Sequence, residues 1–249
     1  MKKFQYIYSE GDHKWGIISR DPEKPSYLID TNEYVICKGN KLIITDPGGI
    51  EIFPSVITSI STEQNPIDIE YIFASHQDPD IISSLTLWLD INPSIKCFTS
   101  FLWSTFLPHF GGNDSTFSII PDIGSSFNFH GLELEFVPAH YLHSSGNFHL
   151  YDPKSKIYFS GDIGAALLPE AVAKEGKIYV DDFDNHIAYC KGFHERWMGS
   201  NEAKLDWCNR VSKMDIEQLC PQHGMIFKEK DVMRFINWFS ELKIGVLRS

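Results

Sequence analysis

The sequence predicts an α+β protein built as two β-sheets packed face to face, with helices covering both outer sides. Three observations carry this. Short β-favouring runs alternate with amphipathic helical runs, and the series of strands, helix, strand, helix occurs twice along the chain. No Pro/Ser/Gly-rich linker, charge block or 20–50-residue repeat divides it. With 249 residues, 43% of them hydrophobic and 14% aromatic, the chain can bury a substantial core. One domain of four layers, residues 1–249, is therefore expected.

From the N-terminus, FQYIY, WGIIS, SYLID, EYVICKG and KLIITD are separated by Gly, Pro, Asn and Asp. They read as an antiparallel meander ending in the Asp46-Pro47-Gly48-Gly49 turn. Apolar positions at Ile52, Phe53, Val56, Ile57 and Ile60 then mark one helix face. The run Ile69 to Ala74 is too short for a helix and suits a strand buried on both faces. Pro79 sits near the start of a helix expected to run through Trp88, where proline is tolerated. IKCFTS reads as strand and FLWSTFLPHF as a short helix, followed by a return to hairpins in TFSII, SFNFHG, LELEFVPA, FHLYDP and KIYFSGD. Phe183 to Met214 reads as mostly helical, MDIEQLCPQHG as strand then loop, and KDVMRFINWFSEL as a closing helix. The Met233, Phe235, Ile236, Phe239 and Leu242 face of that last helix is expected in the core.

Composition narrows the function classes. Lys and Arg number 22 against 33 Asp and Glu, for a formal net charge of -11. A surface of that sign repels phosphate backbones, so nucleic acid is not an expected partner. No apolar run approaches the ~18 residues of a membrane span, and no signal-peptide pattern opens the chain. The expectation is a cytoplasmic protein without membrane contact. Five widely spaced cysteines without a C-x-x-C pattern read as reduced core residues. No G-x-S-x-G or phosphate-loop signature is present, and Asp46-Pro47-Gly48-Gly49 reads only as a turn.

Ser75-His76-Gln77-Asp78-Pro79-Asp80 follows the buried strand directly and places one imidazole and two carboxylates within five residues. Alone, it reads equally as a helix-capping turn. Three further segments share its form, a hydrophobic strand running into His or Asp among small residues. They are Val137 to Asn147 with His140 and His143, Tyr158 to Gly164 with Asp162, and Cys220 to Gly224 with His223. Small neighbours let the backbone pass close to an ion, and strand ends hold ligands rigidly.

His76-x-Asp78-x-Asp80, then His143, Asp162 and His223, resembles the ligand series of the metallo-β-lactamase superfamily, most closely its flavodiiron branch. That branch shows H-x-E-x-D, a His in an L-H-x-x-G/D-N segment, an S-G-D Asp and a terminal H-G. Phe193 to Asn201 similarly resembles its F-x-R-Y-M-x-S-N helix. The resemblance spans nearly the whole chain and implies an αββα sandwich with two mixed sheets and a binuclear site between them. It implies His76, Asp78 and His143 on one metal, Asp80 and His223 on the other, and Asp162 bridging.

Zinc hydrolases of the superfamily offer H-x-H-x-D-H and about five imidazoles. Here Asp78 and Ile81 stand at two of those histidine positions, leaving His76, His143 and His223 with Asp78, Asp80 and Asp162. An equal mix of imidazole and carboxylate with open positions favours iron or manganese over zinc. Of the two, the flavodiiron resemblance implies iron, as two oxo- or hydroxo-bridged ions. Asp78 stands where the branch usually has Glu, drawing the carboxylate back by about 1.5 Å, one C–C bond.

Other residues are weaker candidates. His140 reads first as a hydrogen-bonding partner, then as an N–H donor to dioxygen or a direct ligand. Tyr141, His194 and Trp197 read as packing residues that could line the site, and His149 as structural.

Full flavodiiron enzymes carry a flavodoxin domain whose FMN feeds the irons. This chain ends at Ser249 just after its closing helix, so no FMN is expected in it. The resemblance then implies dioxygen binding or sensing, as in stand-alone oxygen-binding diiron relatives associated with chemotaxis. A second possibility is reduction of dioxygen or nitric oxide with electrons from a separate protein. A homodimer is implied by the branch, and a separate electron donor or signalling protein is the expected partner. The competing class is a binuclear hydrolase of a thioester, lactone or phosphodiester using metal-bound hydroxide.

Overall fold

The alternating apolar runs of the N-terminal half fold as a seven-stranded mixed sheet in a computed structural model that describes residues 3–21 and 28–246. The chain divides into two compact units, Met1–Asp122 and Ile123–Ser249. In the first, β1 (Phe4–Glu10), β2 (His13–Ile18), β3 (Glu33–Lys38) and β4 (Lys41–Thr45) form an antiparallel meander. To it β5 (Ile69–Phe73), β6 (Lys96–Ser100) and β7 (Phe117–Ile120) add in parallel, in the order β1 to β7. Parallel neighbours need crossovers, usually helical. These are α1 (Phe53–Ser61), the pair α2 (Pro79–Ile82) and α3 (Leu85–Ile91), and α4 (Phe101–Ser104), which is followed by a 3-10 turn at Leu107–Phe110. Val35, Leu42, Ile44, Ile72 and Cys97 of the sheet pack with Val56, Ile60, Ile82, Leu85 and Trp88 of the helices.

The second unit is a six-stranded mixed sheet. Its strands are β8 (Ser125–Phe129), β9 (Leu132–Pro138), β10 (Phe148–Asp152), β11 (Ile157–Gly161), β12 (Gln218–Pro221) and β13 (Phe227–Lys228), ordered β13-β12-β11-β10-β9-β8. Among these six strands β11 and β12 are the parallel pair, and their crossover carries α5 (Glu170–Ala173), α6 (Phe183–Trp197) and α7 (Asn201–Val211). The closing helix is α8 (Lys230–Glu241). Asp182 and Ser200 cap α6 and α7, each accepting a backbone N–H of the first turn, at Asn185 and Ala203. Tyr158, Leu219 and Phe227 pack with Phe193, Trp207, Phe235 and Phe239. Every residue of β10, β11 and β12 is buried, as expected of strands covered on both faces. Both sheets are thus mixed and flanked by helices, the α+β class expected from the sequence.

Several expectations are corrected. The SYLID strand falls partly on Ser26 and Tyr27, outside the described residues, and Leu28–Asp30 are not strand. TFSII is not part of the second group of hairpins: as β7 it pairs in parallel with β6 and ends the first sheet. The helix expected from Pro79 to Trp88 breaks at Ser83–Ser84. There the hydroxyls serve the Asp46–Ile50 loop: Ser83 accepts from Ile50 N–H at 3.1 Å, and Ser84 donates to Gly48 C=O at 2.7 Å. Serine competes with the helix backbone in this way. In α8, Val232, Phe235, Ile236 and Phe239 are buried, whereas Met233 is exposed and Leu242 lies one residue past the helix. The two-residue β13 and short α5 had no sequence signal.

All five cysteines are free thiols and buried. Burial pushes those of Cys37 and Cys208 up to about 12 and raises Cys97 and Cys190 as well. These four thiols are therefore not thiolate nucleophiles at neutral pH. No helix among the described residues is long and apolar enough to cross a membrane.

Candidate metal centre

His76 emerges from the end of β5 fully buried, and its ring is oriented by a proton count. Asp46, at the end of β4, accepts the Ser75 N–H at 2.7 Å and the Ser75 hydroxyl at 2.6 Å. The single hydroxyl proton is thereby committed to a carboxylate that can only accept. Ser75 Oγ also lies 2.8 Å from His76 Nδ1, so Nδ1 must carry the proton and donate. The Nε2 lone pair then faces away from the relay, in the form a metal requires. Nε2 is 3.7 Å from Asp78 Oδ2, while Asp78 Oδ1 accepts from Gln77 Nε2 at 2.9 Å. Asp80 lies two residues on, half-buried in the first turn of α2. Neither Asp46 nor Ser75 was singled out in the sequence. The only signal was Asp46 itself, closing a hydrophobic strand, and Pro-Gly-Gly beside it read as a plain turn.

The second unit brings three candidates together. Asp162, in the turn after β11, is nearly fully buried and offers one oxygen to each of two imidazoles. Oδ2 lies 3.3 Å from His143 Nε2 and Oδ1 lies 3.2 Å from His223 Nε2. Two ligand atoms each about 2.1 Å from one ion, at about 90–110° to each other, stand about 3.0–3.4 Å apart. Both separations suit a shared ion. The His76–Asp78 separation is wider, in keeping with the shorter reach of Asp against Glu. Asn147 fixes the loop that carries His143: its side-chain amide donates to Leu142 C=O, and its backbone C=O accepts from Ala139 N–H at 2.9 Å.

Gly224 holds the next residue after His223 in a left-handed backbone, φ +90°. A Cβ there would sit 2.7 Å from Ala166 Cβ and 3.0 Å from Ala166 N, which itself donates to His223 C=O at 3.2 Å. Gly224→Ala is expected to cost about 2 kcal/mol or more, from left-handed strain of about 1–2 kcal/mol plus that contact. Denaturant unfolding of the metal-free protein reads the loss.

The remaining candidates separate. His194 is fully buried on α6; its Nδ1 donates to Cys190 C=O at 2.9 Å, and its Nε2 accepts Gly164 N–H at 3.0 Å. It thus ties α6 to the turn of Asp162 and is no ligand. Burial holds its imidazole down at about 4, against 6.5 for an ordinary one. The unfolded chain takes up this proton near pH 6.5 and the folded chain only near 4. Stability therefore falls as pH drops through that window, by about 3 kcal/mol from this group. Unfolding of metal-free protein at pH 7 and pH 4.5 is expected to show a smaller difference in His194→Gln than in the parent.

His140 packs edge-on against Phe148, ring centroids 5.0 Å apart. Tyr141 is exposed, on a left-handed backbone at φ 65°. Trp197 is also exposed, stacked on buried Phe193 at 5.1 Å and 12°. His149 lies in a buried set, its Nδ1 2.9 Å from Tyr158 OH and 3.2 Å from Trp207 Nε1.

A family model described as ODP family beta lactamase matches residues 29–224. Among solved structures, a peroxy diiron species of chemotaxis sensor ODP is similar at 36% identity and TM-score 0.87, covering 98% of this chain and 96% of that one. The apo state of chemotaxis sensor ODP from T. denticola matches at 36% identity and TM-score 0.86 over the same shares. A flavo di-iron protein of Thermotoga maritima is similar in fold, with 21% identity and TM-score 0.81 over 96% of this chain and 61% of that one. An uncharacterized protein of Methanocaldococcus jannaschii is 26% identical over 223 residues. That alignment covers 90% of this chain and 56% of that relative, so the chain spans little more than half its length.

Proposed function

This chain belongs to the ODP family of β-lactamase-fold proteins, and from that premise we propose that it is a non-haem diiron protein that binds dioxygen. The observation that supports it most is Asp162, with one carboxylate oxygen beside His143 and the other beside His223. A carboxylate so flanked suits two ions, one on each oxygen. In the proposal His76, Asp78 and His143 hold one iron, Asp80 and His223 hold the other, and Asp162 bridges, with residues 1–249 acting as a single domain. When bound, the irons supply redox-active positions open to a diatomic gas.

The chain's own residues do the rest. The Asp46–Ser75 relay keeps the His76 lone pair toward the metal. His194 and Asn147 hold the Asp162 and His143 turns in place. Three imidazoles and three carboxylates are harder and more anionic than a zinc hydrolase set, which supports iron. Oxygen sensing is the preferred role, supported by the likeness to a protein described as a chemotaxis sensor. Reduction of dioxygen or nitric oxide, fed by a separate donor protein, is secondary. A cytoplasmic homodimer completes the proposal.

Metal analysis with an anaerobic-to-aerobic optical titration tests it. Two irons per chain and an oxygen-dependent charge-transfer band are expected. Stoichiometric zinc with thioesterase, lactonase or phosphodiesterase turnover would replace this reading with the hydrolytic one.

A further inference from the structure

Of the six tryptophans, Trp15, Trp88 and Trp207 are fully buried, Trp103 and Trp238 are half-buried, and Trp197 alone is exposed, at 49%. An exposed indole forgoes the burial that usually stabilises so large a side chain. Trp197 is not loose: it lies nearly parallel on Phe193, centroids 5.1 Å apart. Phe193 is itself buried, and its ring centroid is 6.2 Å from that of His223. The three rings therefore make an unbroken line of aromatic contact from solvent to a residue whose Nε2 stands 3.2 Å from Asp162. Packing alone accounts for Phe193 but leaves the exposed end of the line without a purpose.

We propose that Trp197 and Phe193 form the path by which single electrons pass between the protein surface and the iron held by His223. This rests on the diiron reading. In the inward direction an external one-electron donor loses one electron at Trp197, and ferric iron becomes ferrous. No bond forms or breaks, and neither ring gains or loses a proton. Phe193 conducts as a bridging π-system without being oxidised, and Trp197 is the contact offered to the donor protein.

Running the path outward tests it. Photogenerated tris(bipyridine)ruthenium(III) takes one electron from the exposed indole, and the transient tryptophan radical is followed optically in metal-free and diferrous protein. In the metal-free protein the radical is expected to be long-lived. Diferrous protein should shorten its lifetime several-fold, with ferrous iron turning ferric in step. Phe193→Leu in the diferrous form should restore the long lifetime, and Trp197→Phe should lose the prompt radical in both forms. Because Trp197 is at the surface, Trp197→Leu serves if Phe193→Leu fails to fold, and there iron oxidation should slow several-fold. Equal lifetimes with and without bound iron, or a Phe193→Leu protein that behaves as the parent, overturn the path alone. A chain that takes up no iron overturns the diiron reading and the path together, and the metal assay shows it before any flash.

Discussion

Replacing Asp162 by Ala is expected to lower the iron bound from two per chain to one or none. Asp162 offers both its oxygens to imidazole nitrogens, at 3.2 and 3.3 Å, so in the proposed site one truncation would remove an anionic ligand from both ions at once. The charge matters as much as the ligand. Two dications in a buried site repel strongly at low effective dielectric, and the shared carboxylate offsets part of that repulsion. Asp162→Asn keeps the shape without the charge and should hold iron less tightly than the parent, yet better than Asp162→Ala. Iron stoichiometry and the optical band read the effect, with far-UV circular dichroism confirming the fold. Two irons retained in Asp162→Ala would contradict the bridging assignment.

Ser75→Ala is expected to weaken metal binding by about 10–100-fold, the usual effect of removing the hydrogen-bond partner of a metal-ligating histidine. The relay has two links, and they fail differently. Without the Ser75 hydroxyl, His76 Nδ1–H loses the acceptor at 2.8 Å, and the imidazole proton redistributes between its two nitrogens. Asp46→Ala goes further, taking from the Ser75 N–H its buried acceptor, at about 1–3 kcal/mol, and freeing the Ser75 hydroxyl proton to turn toward His76 Nδ1. Chelator competition measures the affinity. Imidazole nitrogen shifts in the metal-free protein report the tautomer independently: a single Nδ1–H form in the parent and a mixture in Ser75→Ala. A parent protein that already shows Nε2–H on His76 would sink the proton count.

Which parts of this were legible follows from the distance over which each signal acts. Amphipathic and alternating runs produced most of the helices and strands, because burial of a face is written into neighbouring residues. Failures occurred where a partner lay elsewhere in the chain. Ser83 and Ser84 break a continuous helical pattern because their hydroxyls engage the Asp46–Ile50 loop. TFSII carries an ordinary strand pattern, and nothing local says that it joins β6 in parallel. Met233 obeys the helical period and is still exposed, since the true apolar stripe of α8 runs through Val232. At the site, all six proposed ligands stood out by residue type and by position at strand ends. Asp46 did not, because its role depends on a serine 29 residues away.

The sequence by itself determined the chemistry on offer: three imidazoles and three carboxylates on four loops, in an order that resembles the flavodiiron ligand series. Only the tertiary structure decided how those groups present themselves. It sets one Asp162 oxygen beside His143 and the other beside His223, commits the Ser75 proton to Asp46 so that His76 turns its lone pair outward, and makes His194 a strut between α6 and the Asp162 turn. The reason is physical. Residue type and local periodicity follow from covalent order, whereas a hydrogen bond or a tautomer is set by atoms within about 3 Å in space, whatever their separation along the chain.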